Sequence, residues 1–445
     1  MKKVLILGAG LVAGPMVRYL LEKGYCVTVA SNTPERAGEM IAGHTNGNAV
    51  IWEAGDDATL DRLIAANDLV VSLLPYVFHV MVAKHCIRHK KNMVTTSYVK
   101  PEMLALDEEA KKAGIIILNE IGLDPGIDHM SAMRIIHHIH NRGGKVEEFY
   151  SLCGALPAPE AASNPFRYKF SWSPKGVVMA SNNDAKFMKK GVVVNIPTED
   201  LFKKPLCTDF PGAGKMDIYP NRDSLSYLDI YGIPETKTMY RGTFRYRGWC
   251  ESLDAMKACR LVSGEKQDFS GLTYAGFIAK MIDAPTTVNI RDQVAAFLGL
   301  PVEAYALESM QWLGLFEDTP MNRGVDTPFE ITSDLMIAKM SLAKEERDMV
   351  AMLHIFLASY PDGTNEVIKS HMLDFGSQVT ETAIARTVAL PAATAVVMIL
   401  SGKIEARGVH IPVIPEIYNP VLDNLEKIGI RMVEEYGLPI DEMFN

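Results

Sequence analysis

Along the first 120 residues, short apolar runs alternate with stretches whose apolar positions recur every three to four residues. The runs Val4–Leu7, Cys26–Ala30, Ala49–Trp52, Leu69–Leu73, Asn92–Thr96 and Ile115–Leu118 read as strands. Between them Leu11–Lys23, Pro34–Ala42 and Pro101–Lys112 read as amphipathic helices. That rhythm predicts a parallel sheet with helices on both faces. It breaks near Gly122, where a helix over Asp128–His140 is expected with Asp128 as its N-cap. From 145 to 260, strand-like runs at Lys145–Leu152, Gly176–Ser181 and Gly191–Ile196 are separated by Pro-, Gly- and Asn-rich loops, which suggests mixed or antiparallel pairing. Residues 265–345 carry helical periodicity, as in Ile290–Gly299 and Val302–Gly314, and read as a helical insertion. Strands return at Val350–Ser359 and Glu366–Leu373 around the turn signal Y-P-D-G-T. A last helix, Thr380–Ser401, leads into a tail expected to return to the first domain.

Composition narrows the class. The 445 residues are 48% hydrophobic and 22% charged, which excludes collagen-like, disordered and small disulfide-scaffold chains. The net charge of -9, with no run of Lys or Arg, gives no reason to expect nucleic acid or an anionic membrane as partner. The longest apolar stretch, Ala389–Leu400, contains Pro391 and falls short of the roughly 20 residues a bilayer span needs. Cys26, Cys86, Cys153, Cys207, Cys250 and Cys259 are scattered without metal-ligand spacing, so no metal is expected. Reduced thiols, and an N-terminus that enters a strand at once, point to a cytoplasmic protein.

The segment V-L-I-L-G-A-G-L-V-A-G-P carries the strongest local signal. Gly8 and Gly10 occupy the first two glycine places of G-x-G-x-x-G/A and Ala13 the third. Gly8 permits the tight strand-to-helix turn, and Gly10 lets backbone N–H groups approach a pyrophosphate at the helix N-terminus. Gly8, Ala9, Gly10, Leu11 and Val12 are therefore the expected dinucleotide loop. The second strand ends in Ser31-Asn32-Thr33 without the carboxylate an NAD site uses on the ribose 2′-OH, and Arg36 follows one turn on, so NADP(H) is favoured. Thr33-Pro34 equally reads as a helix start. Asp56 follows the third strand, where it would contact adenine or cap the next helix. Leu74, after the fourth strand, and Ser97 and Tyr98, after the fifth, stand at carboxyl ends of strands, where ligands bind in open α/β sheets. Ser97 serves as a substrate hydroxyl or as a turn cap.

From Gly122-Leu123-Asp124-Pro125-Gly126-Ile127-Asp128-His129 onward the chain resembles the saccharopine reductase family, the NADP-dependent, glutamate-forming saccharopine dehydrogenases. The likeness continues through Cys153–Glu160 (C-G-A-L-P-A-P-E), Asn164–Ser173, Tyr219–Ser224 (Y-P-N-R-D-S), Tyr240–Tyr246, Glu346–Val350 and Pro415–Tyr418. It implies an α/β protein: a Rossmann-type dinucleotide-binding domain over 1–124 plus about 385–445, a mixed-sheet substrate and dimerisation domain over 125–264 and 346–384, and the all-helical insertion over 265–345. Ser31-Asn32-Thr33 departs from the family's fungal members, which carry an Arg there; Arg36 is the replacement.

The implied reaction joins α-aminoadipate semialdehyde to glutamate and reduces the imine to saccharopine, within an amino-acid (lysine) pathway. Such a ligand has three carboxylates, and planar bidentate clamps call for Arg. Arg222 and Arg245 are the candidates, with structural ion pairing, Asp223 foremost, as the competing role. Asp124 would bind a substrate ammonium or relay a proton, or else close an Asx turn. Cys153 would line the pocket or be a small buried hydrophobe. Phe170, Trp172 and Ser173 would wall the cleft, with core packing as the alternative for the aromatics, and Thr243 would contact the substrate. Asp124 and Cys153 are the expected catalytic pair, Leu123 and Asp124 border the cofactor, and the proton donor stays open. His129 reads as structural or cofactor-proximal, with no acidic partner evident. Rival readings are a carboxynorspermidine-type imine reductase and a non-catalytic NADP-binding regulator. The expected partners are small amino-acid substrates and a second copy of the chain.

Overall fold

The computed structural model describes residues 1–377 and 381–444, so Thr380 of the expected last helix lies outside them. It divides into two compact units: residues 1–144 with 370–434, and residues 145–369 with 435–445.

In the first unit the apolar runs become six strands: β1 (Lys3–Leu7), β2 (Cys26–Ser31), β3 (Gly47–Ile51), β4 (Leu69–Ser72), β5 (Asn92–Thr95) and β6 (Ile116–Leu118). A seventh, Gly408–His410, comes back from the C-terminal part and pairs with β6. All pairings are parallel, in the order β3-β2-β1-β4-β5-β6 followed by the late strand. The chain reverses direction across the sheet between β1 and β4, and ligands bind at the carboxyl ends beside such a switch point. All but the edge strand β3 are largely buried because helices cover both faces; α1 (Gly14–Glu22) packs on helix Ala383–Leu400. The latter is 18 residues, apolar enough in length and composition to cross a membrane, and 78% of it is buried inside the protein.

On the other face α3 (Asp57–Ala65) and α4 (His79–His89) are stapled by one carboxylate. Asp61 accepts from His89 at 2.8 Å, His85 at 2.9 Å and Arg88 at 3.0 Å. Hydrogen bonds from His89 and then His85 hold its carboxyl down to about 2. A depressed folded-state pKa stabilises above the unfolded value and is lost as pH falls through the folded one. Asp61→Asn is therefore expected to lower the urea midpoint at neutral pH, with the gap to the native chain closing as pH falls from 3.8 toward about 2. A gap that is the same at both ends of that window would refute the assignment.

The second unit is built on a nine-stranded mixed sheet. Its long central strand β7 (Lys145–Pro157) runs antiparallel to Asp348–Ser359. A hairpin β8 (Ala185–Lys189) and β9 (Val192–Ile196) precedes β10 (Leu206–Phe210), β11 (Gly214–Pro220) and β12 (Thr238–Tyr246). β12 pairs antiparallel with β11 and parallel with β7, the mixed pattern the loops implied. The strand Asn365–Phe375 runs from this unit into the first.

Several expectations are corrected. Gly176–Ser181 is not a strand but part of a helix, Pro174–Ala180, with Pro174 in its first turn. Asp128 is not the N-cap of its helix, which spans Ile127–Asn141 and is capped by Gly126; its carboxylate instead accepts from the Gly126 N–H at 2.6 Å. Residues 265–345 hold four helices and a two-stranded pair, Gln267–Asp268 with Val325–Asp326, and lie inside the second unit. Residues 435–445 also fall in the second unit, not the first.

Candidate active site

In the first unit, Gly8 takes φ +107° directly after β1, and a Cβ there would stand 3.1 Å from the Leu73 carbonyl oxygen. Only glycine passes so close to β4 without strain. Ala9 is buried, Leu11 is exposed and Val12 half-buried in the turn before α1. Gly10 differs from Gly8: a Cβ on it would meet nothing within 4 Å. The open space lies over the N-terminus of α1, whose N-cap Ala13 offers no side-chain hydrogen bond. Uncapped N–H groups and the positive end of the helix dipole suit a phosphate.

Beside it, Ser31 is buried, its hydroxyl accepting from Thr33 N–H at 3.1 Å, 3.0 Å from the Thr33 hydroxyl, while Asn32 and Thr33 are exposed. Thr33 stands at the N-cap of helix α2 (Pro34–Ile41) without a side-chain cap bond. Arg36 is exposed on its first turn and forms no ion pair among the described residues. A cradle with room over Gly10, uncapped amides and an uncommitted guanidinium fit an NADP diphosphate and 2′-phosphate. Asp56 caps α3, accepting from Thr59 N–H at 3.0 Å; hydrogen bonding from the Thr59 side chain first and its backbone second holds the carboxyl below the usual range. Leu74 packs against the core under the sheet.

Ser97 and Tyr98 follow β5. The Tyr98 hydroxyl donates to Asp124 Oδ1 at 3.1 Å. Asp124 and the buried Leu123 belong to a tight turn in which Gly122 N–H donates to Pro125 O at 2.9 Å and Ile127 N–H to Gly122 O at 2.9 Å. Gly126 has φ +150°, and a Cβ on it would stand 2.0 Å from Gly122 O. That explains the G-L-D-P-G spelling. His129 does have an acidic partner: its Nε2 is 2.7 Å from Glu120 Oε2, and both side chains are buried.

In the second unit the register brings functional candidates into one row. Cys153 of β7 is the partner of Thr243 of β12, and Thr243 of Tyr219 of β11. Thr243 and Arg245 are two apart and share that face. Cys153 lies within β7, not at its end as the sequence suggested, and is buried.

Arg245 is 4% exposed. Its guanidinium carbon lies 4.9 Å from the Tyr168 ring centroid, 5.3 Å from Trp249 and 5.7 Å from Tyr219. Nη1 donates to Phe244 O at 2.7 Å, and among the described residues Nε has no partner and no carboxylate pairs with the guanidinium. Among the described residues Trp249 Nε1 is also buried without a partner, and Tyr168 Oη and Trp172 Nε1 have only each other, too loosely placed for a well-formed hydrogen bond. Burial raises the Tyr168 and Tyr219 phenols, so both are neutral donors. Native interiors rarely leave such groups unsatisfied, and donors gathered in one neighbourhood are able to take up a ligand's acceptors. Arg222 is exposed at φ +46° in the loop after β11. It is not paired with Asp223, whose carboxylate accepts from Leu225 N–H at 2.8 Å. Phe170 is buried edge-on to Tyr168 and serves the core, while Trp172 is half-buried. A cavity of about 1120 Å³ nearby mixes Arg167 and Arg247 with Asp217, Glu251 and Asp254, and Arg245 does not line it.

Sequence reasoning passed over His79, whose Nε2 is 2.7 Å from the Ser97 hydroxyl, and Glu120. Among the described residues no cluster of three or more His, Cys, Asp or Glu could hold a metal ion.

Comparison with known proteins gives a consistent picture. Residues 4–118 match the family profile described as saccharopine dehydrogenase NADP binding domain, and residues 122–430 that of the saccharopine dehydrogenase C-terminal domain. The chain is 39% identical to "Saccharopine dehydrogenase [NADP(+), L-glutamate-forming]" of Pyricularia oryzae, covering 98% of this chain and 99% of that one. Against the Saccharomyces cerevisiae protein of the same name the figures are 38%, 98% and 99%. The solved structure of the apo, histidine-tagged saccharopine dehydrogenase (L-Glu forming) from Saccharomyces cerevisiae superposes with a TM-score of 0.91 at 36% identity, over 98% of this chain and all of that one.

Proposed function

The chain belongs to the saccharopine dehydrogenase family, and from that premise we propose that it joins α-aminoadipate semialdehyde and L-glutamate, reversibly, into saccharopine with NADP(H). The observation that carries the substrate side is Arg245, a buried guanidinium with no carboxylate of its own in a cage of unsatisfied donors. An unpaired buried charge is unfavourable in the absence of a ligand, so its retention is accounted for by a ligand carboxylate. Arg222 supplies a second, exposed cation for another carboxylate. Asp124, oriented by the Tyr98 hydroxyl, is placed to hold the substrate ammonium or to pass a proton to the amine nitrogen. Cys153, Thr243 and Trp172 line the ligand. The bound dinucleotide supplies the hydride that reduces the imine carbon. Gly10 and the uncapped α1 terminus hold its pyrophosphate and Arg36 its 2′-phosphate. A carboxynorspermidine-type substrate is more cationic and would call for carboxylates where this protein has Arg245. A cytoplasmic setting and a homodimer through the mixed sheet complete the proposal; the scattered cysteine spacing supports the first, and sedimentation would decide the second.

Purified protein with saccharopine and NADP⁺ is expected to give NADPH absorbance, with NAD⁺ much poorer. Arg36→Ala should raise the NADP⁺ KM about 10-fold, the loss of one exposed charge-assisted contact, and leave the NAD⁺ KM unchanged. Turnover of carboxynorspermidine alone, or tight NADPH binding with no turnover, would replace this function with one of the two rivals.

A further inference from the structure

The loop after β5 is braced by two buried histidines from different helices. His79 opens α4 and is 4% exposed. Its Nδ1 is 2.9 Å from the Ser72 hydroxyl at the end of β4, and its Nε2 is 2.7 Å from the Ser97 hydroxyl and 3.4 Å from that of Thr95. The Ser97 carbonyl accepts from Glu120 N–H at 3.1 Å, and the Glu120 carboxylate accepts from Val99 N–H at 2.8 Å while its other oxygen meets His129. Burial pushes the His79 imidazole down to about 4, so it is neutral under ordinary conditions. A neutral imidazole has one donor and one acceptor, and each hydroxyl it touches takes the complementary role. With one of its three hydrogen-bonding directions taken by His79, the Ser97 hydroxyl points its remaining ones in fixed directions. A hydrogen-bonded polar strut buried at the carboxyl ends of the strands adds little stability that apolar groups of like shape would not supply, which points to a reason for it outside folding.

We propose that His79 is a positioning residue: it does not touch the ligand but fixes the Ser97 hydroxyl in the single orientation in which Ser97 meets the substrate. The inference rests on the proposed saccharopine-forming activity and on taking Ser97 as a substrate hydroxyl, one of the two roles its place after β5 offers. It assigns the strut Ser72–His79–Ser97 to substrate placement and not to cofactor binding.

The test uses two amide replacements of the full-length protein. His79→Gln carries its amide out to the place of Nε2 and keeps the Ser97 contact; His79→Asn reaches only the place of Nδ1 and keeps Ser72. His79→Gln is expected to retain saccharopine kcat/KM to within about 3-fold, and His79→Asn to lose about 10-fold, roughly one positioned hydrogen bond. Both should keep the wild-type NADPH Kd, read by fluorescence titration, and share one Tm. In a Ser97→Ala background His79→Asn should cost nothing further, the signature of two residues acting as a unit. Ser72→Ala, a milder cut at the far end of the strut, should show a smaller loss that also vanishes in that background. If Ser97→Ala leaves saccharopine kinetics unchanged, the reading of Ser97 fails and takes the proposal with it. If Ser97→Ala impairs turnover while the Gln and Asn variants behave alike, or the losses add in full, His79 is structural only. Should His79→Asn not fold, full additivity of Ser72→Ala with Ser97→Ala overturns the proposal, and its disappearance there supports it.

Discussion

Arg245→Leu is expected to cut saccharopine kcat/KM by at least ~10²-fold and, at the same time, to raise the Tm of the ligand-free protein. The two effects share one cause. A bidentate guanidinium–carboxylate contact comprises two charge-assisted bonds, each about 1.5–3 kcal/mol, and about 1.4 kcal/mol is tenfold in affinity or rate. Without ligand the same group is a buried cation whose Nε is unpartnered and whose one hydrogen bond among the described residues goes to the Phe244 carbonyl. Its contacts with the Tyr168, Trp249 and Tyr219 rings return about 0.5–2 kcal/mol, against a desolvation cost of several kcal/mol per buried ion. Leucine removes the cost and fills most of the volume. NADPH affinity should be nearly unchanged. Arg245→Lys keeps the charge but not the planar fork, and should fall between leucine and wild type in saccharopine KM. Steady-state kinetics, NADPH titration and a thermal melt of each variant measure all of this. Unchanged saccharopine kinetics, or a Tm that falls, would mean that Arg245 is a structural cation.

Arg245 also shows what the sequence could and could not reveal. The strand T-M-Y-R-G-T-F-R-Y places Arg241 and Arg245 on the same face of an otherwise buried strand, so by pattern alone they are equals. Both keep Nε unpartnered among the described residues, and packing separates them at the fork: Arg241 Nη1 donates to the Tyr227 hydroxyl at 2.7 Å, with the Tyr227 ring 4.1 Å from its guanidinium carbon, whereas Arg245 Nη1 reaches only the Phe244 carbonyl of its own strand at 2.7 Å. The parallel sheet of the first unit was legible because its strands are continuous apolar runs and its glycine loop is local in sequence. The misread Gly176–Ser181 is a short apolar run with two adjacent valines, in which β-branched composition argues for strand; the stronger signal was Ser173-Pro174, a helix start. Asp128 looked like a cap because it precedes the apolar periodicity, but Gly126, at a φ open only to glycine, takes the cap position and Asp128 bonds back to it. His79 and Glu120 went unread because their partners are distant in sequence: 18 residues separate His79 from Ser97, and only the neighbouring of β4 and β5 brings them together. The fold-level clue was a histidine at the head of the helix that follows the β4 loop.

Gly10→Val should separate cofactor binding from folding, with Gly8→Ala as its opposite. At Gly8 a methyl group would press on the Leu73 carbonyl at 3.1 Å and hold an L-residue at φ +107°. Backbone strain of that kind costs about 1–3 kcal/mol, so Gly8→Ala is expected to lower Tm and to weaken NADPH binding through a distorted turn. At Gly10 an added Cβ meets no atom within 4 Å and opens onto free space. Gly10→Val should therefore melt as the wild-type apo protein does. The space it enters is the one a pyrophosphate needs when it lies on the α1 amides. Overpacking a close contact costs about 1–3 kcal/mol, which corresponds to a rise of roughly 10–100-fold in the NADPH Kd. A shared loss in both variants would point to folding damage at Gly10 too. Wild-type NADPH affinity in Gly10→Val would place the pyrophosphate elsewhere and remove the α1 N-terminus from the cofactor site.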